Sequence, residues 1–203
     1  MSSYRALAGV HMERHGYINI PNTLSFIRLL LVPVLWVLAF MDMPRYVGIG
    51  LLLAGLSDAL DGFIARRWGM VSAYGSRLDS IADVSVIISA VFCVVLLMPG
   101  IIFDHKLLVT LWVLLEVTTI TVGWIKFRRI ANLHLYLTKA AGVIAYVFVI
   151  VAFIFGYSEV LFYLALTALI AASAEALTLE LLCSSVDEHM KSIIHAYREG
   201  RLE

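Results

Sequence analysis

Asp58-Ala-Leu-Asp61-Gly62-Phe-Ile-Ala65-Arg66-Arg67 and, after a short polar turn, Gly75-Ser-Arg-Leu-Asp79-Ser-Ile-Ala-Asp83 lie at the junction of two strongly apolar segments. Four carboxylates fall within these 26 residues of a chain that is 62% hydrophobic. At membrane depth a carboxylate costs about 2.5 kcal/mol or more unless something compensates it. Four acids cannot neutralise one another, whereas a bound cation can, and the stretch is expected to hold one. Asp58 and Asp61 are three residues apart and Asp79 and Asp83 four, so each pair shares a helix face. A hairpin of the two helices, turning near residues 67–75, would set the pairs face to face. Oxygen-only ligands on rigid helices suit a hard ion such as Mg²⁺ or Mn²⁺ rather than zinc. Gly62 and Ala65 let a ligand approach the backbone closely, and Arg66 presents a planar donor fork suited to phosphate. Cation, small-residue cleft and guanidinium together describe a diphosphate site.

The surrounding chain is that of a membrane protein. Its 203 residues have a mean hydropathy of +0.93, and only 15% are charged. Apolar runs of bilayer-spanning length predict an all-α integral membrane fold with six helices, at about 22–41, 46–66, 76–98, 106–126, 136–156 and 160–183. Residues 1–203 form one domain on this reading, with segment 1–21, a six-helix core 22–183 and tail 184–203. A short interfacial helix within 1–18 and another reaching about 198 are expected at the ends. Fifteen basic and fifteen acidic side chains balance, which gives no nucleic-acid-binding character. Cys93 and Cys183 have no CxxC spacing and read as buried inert thiols. No secretory signal peptide is evident in the first twenty residues. Eleven basic residues, among them Arg66, Arg67, Arg77, Lys126, Arg128 and Arg129, fall on one side of the six spans and only Arg45 and Lys106 on the other. Both termini and the 67–75 turn are therefore expected in the cytoplasm.

The pattern D-x2-D-G-x2-A-R-x8-G-x3-D-x3-D is matched at all eight fixed positions from Asp58 to Asp83. It resembles the signature of the CDP-alcohol phosphotransferases, integral-membrane enzymes of phospholipid head-group attachment. The stretch Pro21-Asn22-Thr23-Leu-Ser25-Phe-Ile-Arg28, with Pro33 beyond it, resembles the start of the phosphatidylglycerophosphate and cardiolipin synthase branches. By itself Arg28 reads as a snorkelling residue or the partner of an acid.

The resemblance implies transfer of a phosphatidyl group from CDP-diacylglycerol to a small polar alcohol, with release of CMP. One or two divalent ions, with two expected, would be held by Asp58, Asp61 and Asp79 and stabilise the leaving group. Asp83 matches the proposed base and also touches the metal site, while Gly62, Ala65, Arg66 and Gly75 match residues that hold the cytidine diphosphate. Family members are typically homodimers. Glycerol 3-phosphate is the leading acceptor, with inositol phosphate, phosphatidylglycerol and serine as alternatives.

The acceptor side rests on cations. Lys126, Arg128 and Arg129 cluster at the end of the fourth span, where the positive-inside rule explains them equally well. Lys139, inside the fifth span, is the better candidate because an embedded lysine needs a partner. Glu116 is a candidate partner for Arg28 or Lys139, whereas Glu175 and Glu180 suit a subunit interface or the cytoplasmic end. Trp36, Trp68, Trp124, Tyr136 and Tyr163 read as interfacial anchors and His134 as structural. An intramembrane prenyltransferase would carry two separated Asp-rich motifs, and only one is present. A divalent-cation transporter would show broken helices or inverted repeats, of which there is no sign, and an inactive scaffold would have lost a motif residue.

Overall fold

Six helices of the computed structural model are long and apolar enough to cross a membrane, as the hydropathy pattern predicts. The structure describes residues 20–68, 73–127 and 135–182, and within them all side chains except those of residues 20, 21, 65, 66, 73 and 74. The described residues contain no strand. In chain order the helices are α1 (Ile20–Phe40), α2 (Pro44–Trp68), α3 (Ala73–Leu97), α4 (Pro99–Asp104), α5 (Lys106–Phe127), α6 (Tyr136–Phe155) and α7 (Glu159–Leu182). The spans run Asn22–Phe40, Pro44–Ile64, Gly75–Leu97, Lys106–Phe127, Tyr136–Phe155 and Glu159–Leu182, within a few residues of the expected bounds. Hydropathy did not separate α4, a single turn and a half opened by Pro99 at its first position. The expected terminal helices, and Cys183, lie outside the described residues.

The chain divides into two compact units, 1–97 and 98–203. In the first, α1 packs along both α2 and α3, which touch each other far less. Between α1 and α2 the chain passes through a helix-ending motif: Met43 N–H donates to the Leu38 carbonyl and Asp42 N–H to that of Ala39, both at 3.0 Å. Asp42 takes the left-handed conformation this ending requires, with φ at 55°. Lipid tails are as apolar as leucine, so helices in a bilayer associate through close packing and hydrogen bonds. Gly50 supplies the first of these. A Cβ there would come within 2.6 Å of Leu35 Cδ2, so its absence lets α2 close on α1.

The α1–α3 seam supplies the second. Trp36 Nε1 donates to Ser89 Oγ at 3.0 Å, and Trp36 and Phe40 both pack on Phe92, with ring centroids at 5.2 and 5.9 Å. Trp36 thus ties two helices together as well as lying near the end of its span. Cys93 is a fully buried free thiol on the same seam. Trp36→Phe removes one hydrogen bond and little volume. It is expected to cost about 0.6–1.5 kcal/mol, read by denaturant unfolding in detergent.

In the second unit α7 packs along both α5 and α6. Phe148, Ala152, Phe162, Ala165 and Leu166 form its buried core, with Trp112 and Ile144 against it. At one end His105 Nε2 hydrogen-bonds with the Tyr157 hydroxyl at 2.9 Å and stacks on Phe162. At the C-terminal end of α5, Lys126 Nζ donates to the carbonyls of Glu180 and Leu181 at 2.8 and 2.9 Å, which closes the last turn of α7.

Candidate active site

The polar residues of α1 define the site. Asn22, Ser25 and Arg28 recur every third residue and all three are buried, which makes a buried polar stripe on a helix that is apolar from Leu29 onward. The Arg28 guanidinium sits among all four aspartates. Nη1 lies 3.1 Å from Asp58 Oδ1, 3.2 Å from Asp79 Oδ1 and in contact with Asp83 Oδ1. Nη2 lies 2.5 Å from Asp61 Oδ2. Ser25 Oγ stands 3.4 Å from both Asp61 Oδ2 and Asp79 Oδ1 and donates between them. The Asp61 side chain is only 4% exposed and forms the floor of the site. Those of Asp58, Asp79 and Asp83 are 40–49% exposed and leave the other side open.

The two aspartate pairs do converge, but not by a direct meeting of α2 and α3. They close around a residue of α1, the helix that packs on both. Arg28 is six residues into the first span, and the carboxylates lie near the C-terminal end of the second and the N-terminal end of the third. At that depth the charges must be compensated, and one guanidinium against four carboxylates leaves three negative charges over.

That deficit and the donor set fit a divalent ion. Asp58, Asp61 and Asp79 each place a carboxylate oxygen within 4.8 Å of the others. Oxygen-only ligands of this kind suit Mg²⁺ or Mn²⁺. Asp83 is not one of the three. It reaches the cluster through Arg28 and keeps an exposed edge.

The other expected site residues separate into three groups. Gly62 follows Asp61 on α2 and Gly75 lies in the first turn of α3, both half-buried. Ala65 and Arg66 belong to the last turns of α2, with side chains outside those described; Arg128, Arg129 and His134 lie outside the described residues altogether. In the second unit, Lys139 is in the first turn of α6 with an exposed side chain. Lys126 is committed to the end of α7. Glu116 accepts a 2.6 Å hydrogen bond from Ser173 Oγ within the same unit, and Glu180 is buried where a Cβ on Gly123 would meet its Oε1 at 2.8 Å. Sequence reasoning missed Ser25 and the central place of Arg28. The three-residue recurrence of Asn22, Ser25 and Arg28 in an apolar helix was the signal that could have found them.

Fold and site define a six-span, all-α membrane protein whose four aspartates surround an arginine just inside the ends of its spans. The chain belongs to the CDP-alcohol phosphatidyltransferase family, whose family model matches residues 18–178. It is 49% identical over 76 residues to the cardiolipin synthase (CMP-forming) of Rattus norvegicus, covering 36% of this chain and 24% of that protein. It is 32% identical over 81 residues to the CDP-diacylglycerol–glycerol-3-phosphate 3-phosphatidyltransferase of Wigglesworthia glossinidia brevipalpis, covering 38% and 44%. With the enzyme of the same name from Rickettsia bellii it shares 37% identity over 68 residues, covering 32% and 38%. These matches span less than half the length of each relative.

Proposed function

We propose that this protein is a metal-dependent phosphatidyltransferase that moves the phosphatidyl group of CDP-diacylglycerol to glycerol 3-phosphate and releases CMP. The observation that carries this reading is the convergence of four aspartates with three negative charges in excess, in a chain of this family. Mg²⁺ or Mn²⁺ held by Asp58, Asp61 and Asp79, with two ions expected, would polarise the phosphoryl oxygens and stabilise the departing CMP. Gly62, Ala65, Arg66 and Gly75 hold the cytidine diphosphate portion. Asp83 accepts the proton of the attacking hydroxyl as the new P–O bond forms and the bond to CMP breaks. Lys139, with Arg128 and Arg129, binds the acceptor phosphate. The protein works as a homodimer in a bacterial-type inner membrane, with its site on the cytoplasmic side, where the basic residues gather.

The similarity to a cardiolipin synthase favours a second reading, the same chemistry with phosphatidylglycerol as acceptor. CMP release from CDP-diacylglycerol by the purified protein distinguishes the two. Glycerol 3-phosphate is expected to stimulate release in the presence of Mg²⁺ or Mn²⁺, and phosphatidylglycerol, inositol phosphate and serine are not. Stimulation by phosphatidylglycerol instead selects the second reading. Silence across the panel, with no binding of CDP-diacylglycerol, overturns both.

A further inference from the structure

Arg28 is a poor match to the cage it occupies. A guanidinium offers five N–H groups in a flat, fixed fork. Nη1 has two hydrogens, yet three carboxylate oxygens surround it; its hydrogen bonds go to Asp79 and Asp83, and Asp58 Oδ1 stands at 3.1 Å as an ion pair alone. Nη2 serves Asp61. Nε is buried and has no hydrogen-bond partner. A structural salt bridge built for arginine would spread its acceptors around the fork. Here they crowd one nitrogen and leave another idle, which is how oxygens arrange themselves around a point charge.

Two of the three N···O distances around Nη1, 3.1 Å to Asp58 and 3.2 Å to Asp79, are about 1 Å longer than Mg²⁺–oxygen bonds. Guanidinium and metal therefore demand the same oxygens at different spacings. Charge leads to the same conclusion. Two divalent ions balance the four carboxylates, so without the substrate's diphosphate the arginine is not needed for neutrality.

We propose that Arg28 is a built-in stand-in for the metal: it gathers the four carboxylates while the site is metal-free and gives them up when the ion binds. This inference rests on the metal-dependent reading above. It makes Arg28 a positioning residue, which holds the carboxylates together and competes with the ion for them. Metal affinity is set by that competition as well as by the ligands.

The experiment measures Mn²⁺ binding to the purified full chain by the electron paramagnetic resonance of free Mn²⁺, with melting temperatures recorded alongside. Arg28→Ala is expected to bind Mn²⁺ at least about tenfold more tightly than the unaltered protein, while its metal-free form melts earlier. Millimolar methylguanidinium is expected to reverse both effects, raising the melting temperature of metal-free Arg28→Ala and weakening its apparent Mn²⁺ affinity. Should Arg28→Ala fail to fold, Arg28→Lys replaces the fork with one nitrogen and is expected to bind Mn²⁺ more tightly than the unaltered protein. Equal or weaker binding by the variants, with the unaltered protein binding normally, overturns the stand-in and leaves metal dependence intact. Absence of Mn²⁺ binding in every form overturns both.

Discussion

Asp83→Asn is expected to lower acceptor-stimulated CMP release by about 10²–10⁴-fold, the range over which a general base acts, without lowering the melting temperature. The two outcomes have separate causes. Asp83 lies outside the trio of oxygens that can share an ion, and its side chain is 42% exposed. In the proposed reaction it is the carboxylate left to accept the proton of the acceptor hydroxyl. An amide cannot do so at any accessible pH. Stability should hold because the site carries three uncompensated negative charges, and removing one relieves repulsion while Arg28 keeps Asp58, Asp61 and Asp79. Parallel measurement of CMP release and thermal unfolding checks this. Full activity in Asp83→Asn would remove the residue from the chemistry.

Asp61→Ala is expected to fail in a different way, with loss of fold stability as well as activity. Asp61 is the least exposed of the four carboxylates and, among the described residues, the sole ion-pair partner of Arg28 Nη2. Removing one member of a buried pair leaves the other charge desolvated, which costs about 3–5 kcal/mol. The three carboxylates remaining around Nη1 hold the expected loss to about 3 kcal/mol, the lower end of that range. Ser25 also loses one of its two carboxylate acceptors. Denaturant unfolding in detergent measures the stability, and Mn²⁺ binding measures the loss of one of three candidate ligands. An Asp61→Ala protein as stable as the unaltered one would mean that the Arg28–Asp61 contact contributes little.

Much of this could be read from local pattern. Span number and bounds follow from apolar run length, which a bilayer of fixed thickness makes decisive. The aspartates pair on shared faces because three- and four-residue spacings are short-range helical geometry. Where α1 goes is a different kind of fact. Nothing in the spacing of Asp58 to Asp83 says that a third helix fills the space between them, and two helices joined by a short turn suggest a direct hairpin. Close approach at Gly50 and the Trp36–Ser89 bond hold α1 there, and both are contacts between residues distant in sequence. Lys126 shows the same limit. A lysine at the end of a span suits several roles, and only the fold shows it closing α7.

The place of α1 also bears on how the protein enters the bilayer. Translation delivers α1 before α2 and α3, so Arg28 enters the bilayer ahead of its four aspartates. The rest of the helix, from Leu29 to Phe40 with no further charged residue, must carry the arginine across the insertion step. The aspartates arrive later on helices that insert against their own charge, and their compensation is already waiting in the lipid. Assembly thus relies on the hold of Arg28 on its aspartates, the same hold that the proposed metal ion has to loosen.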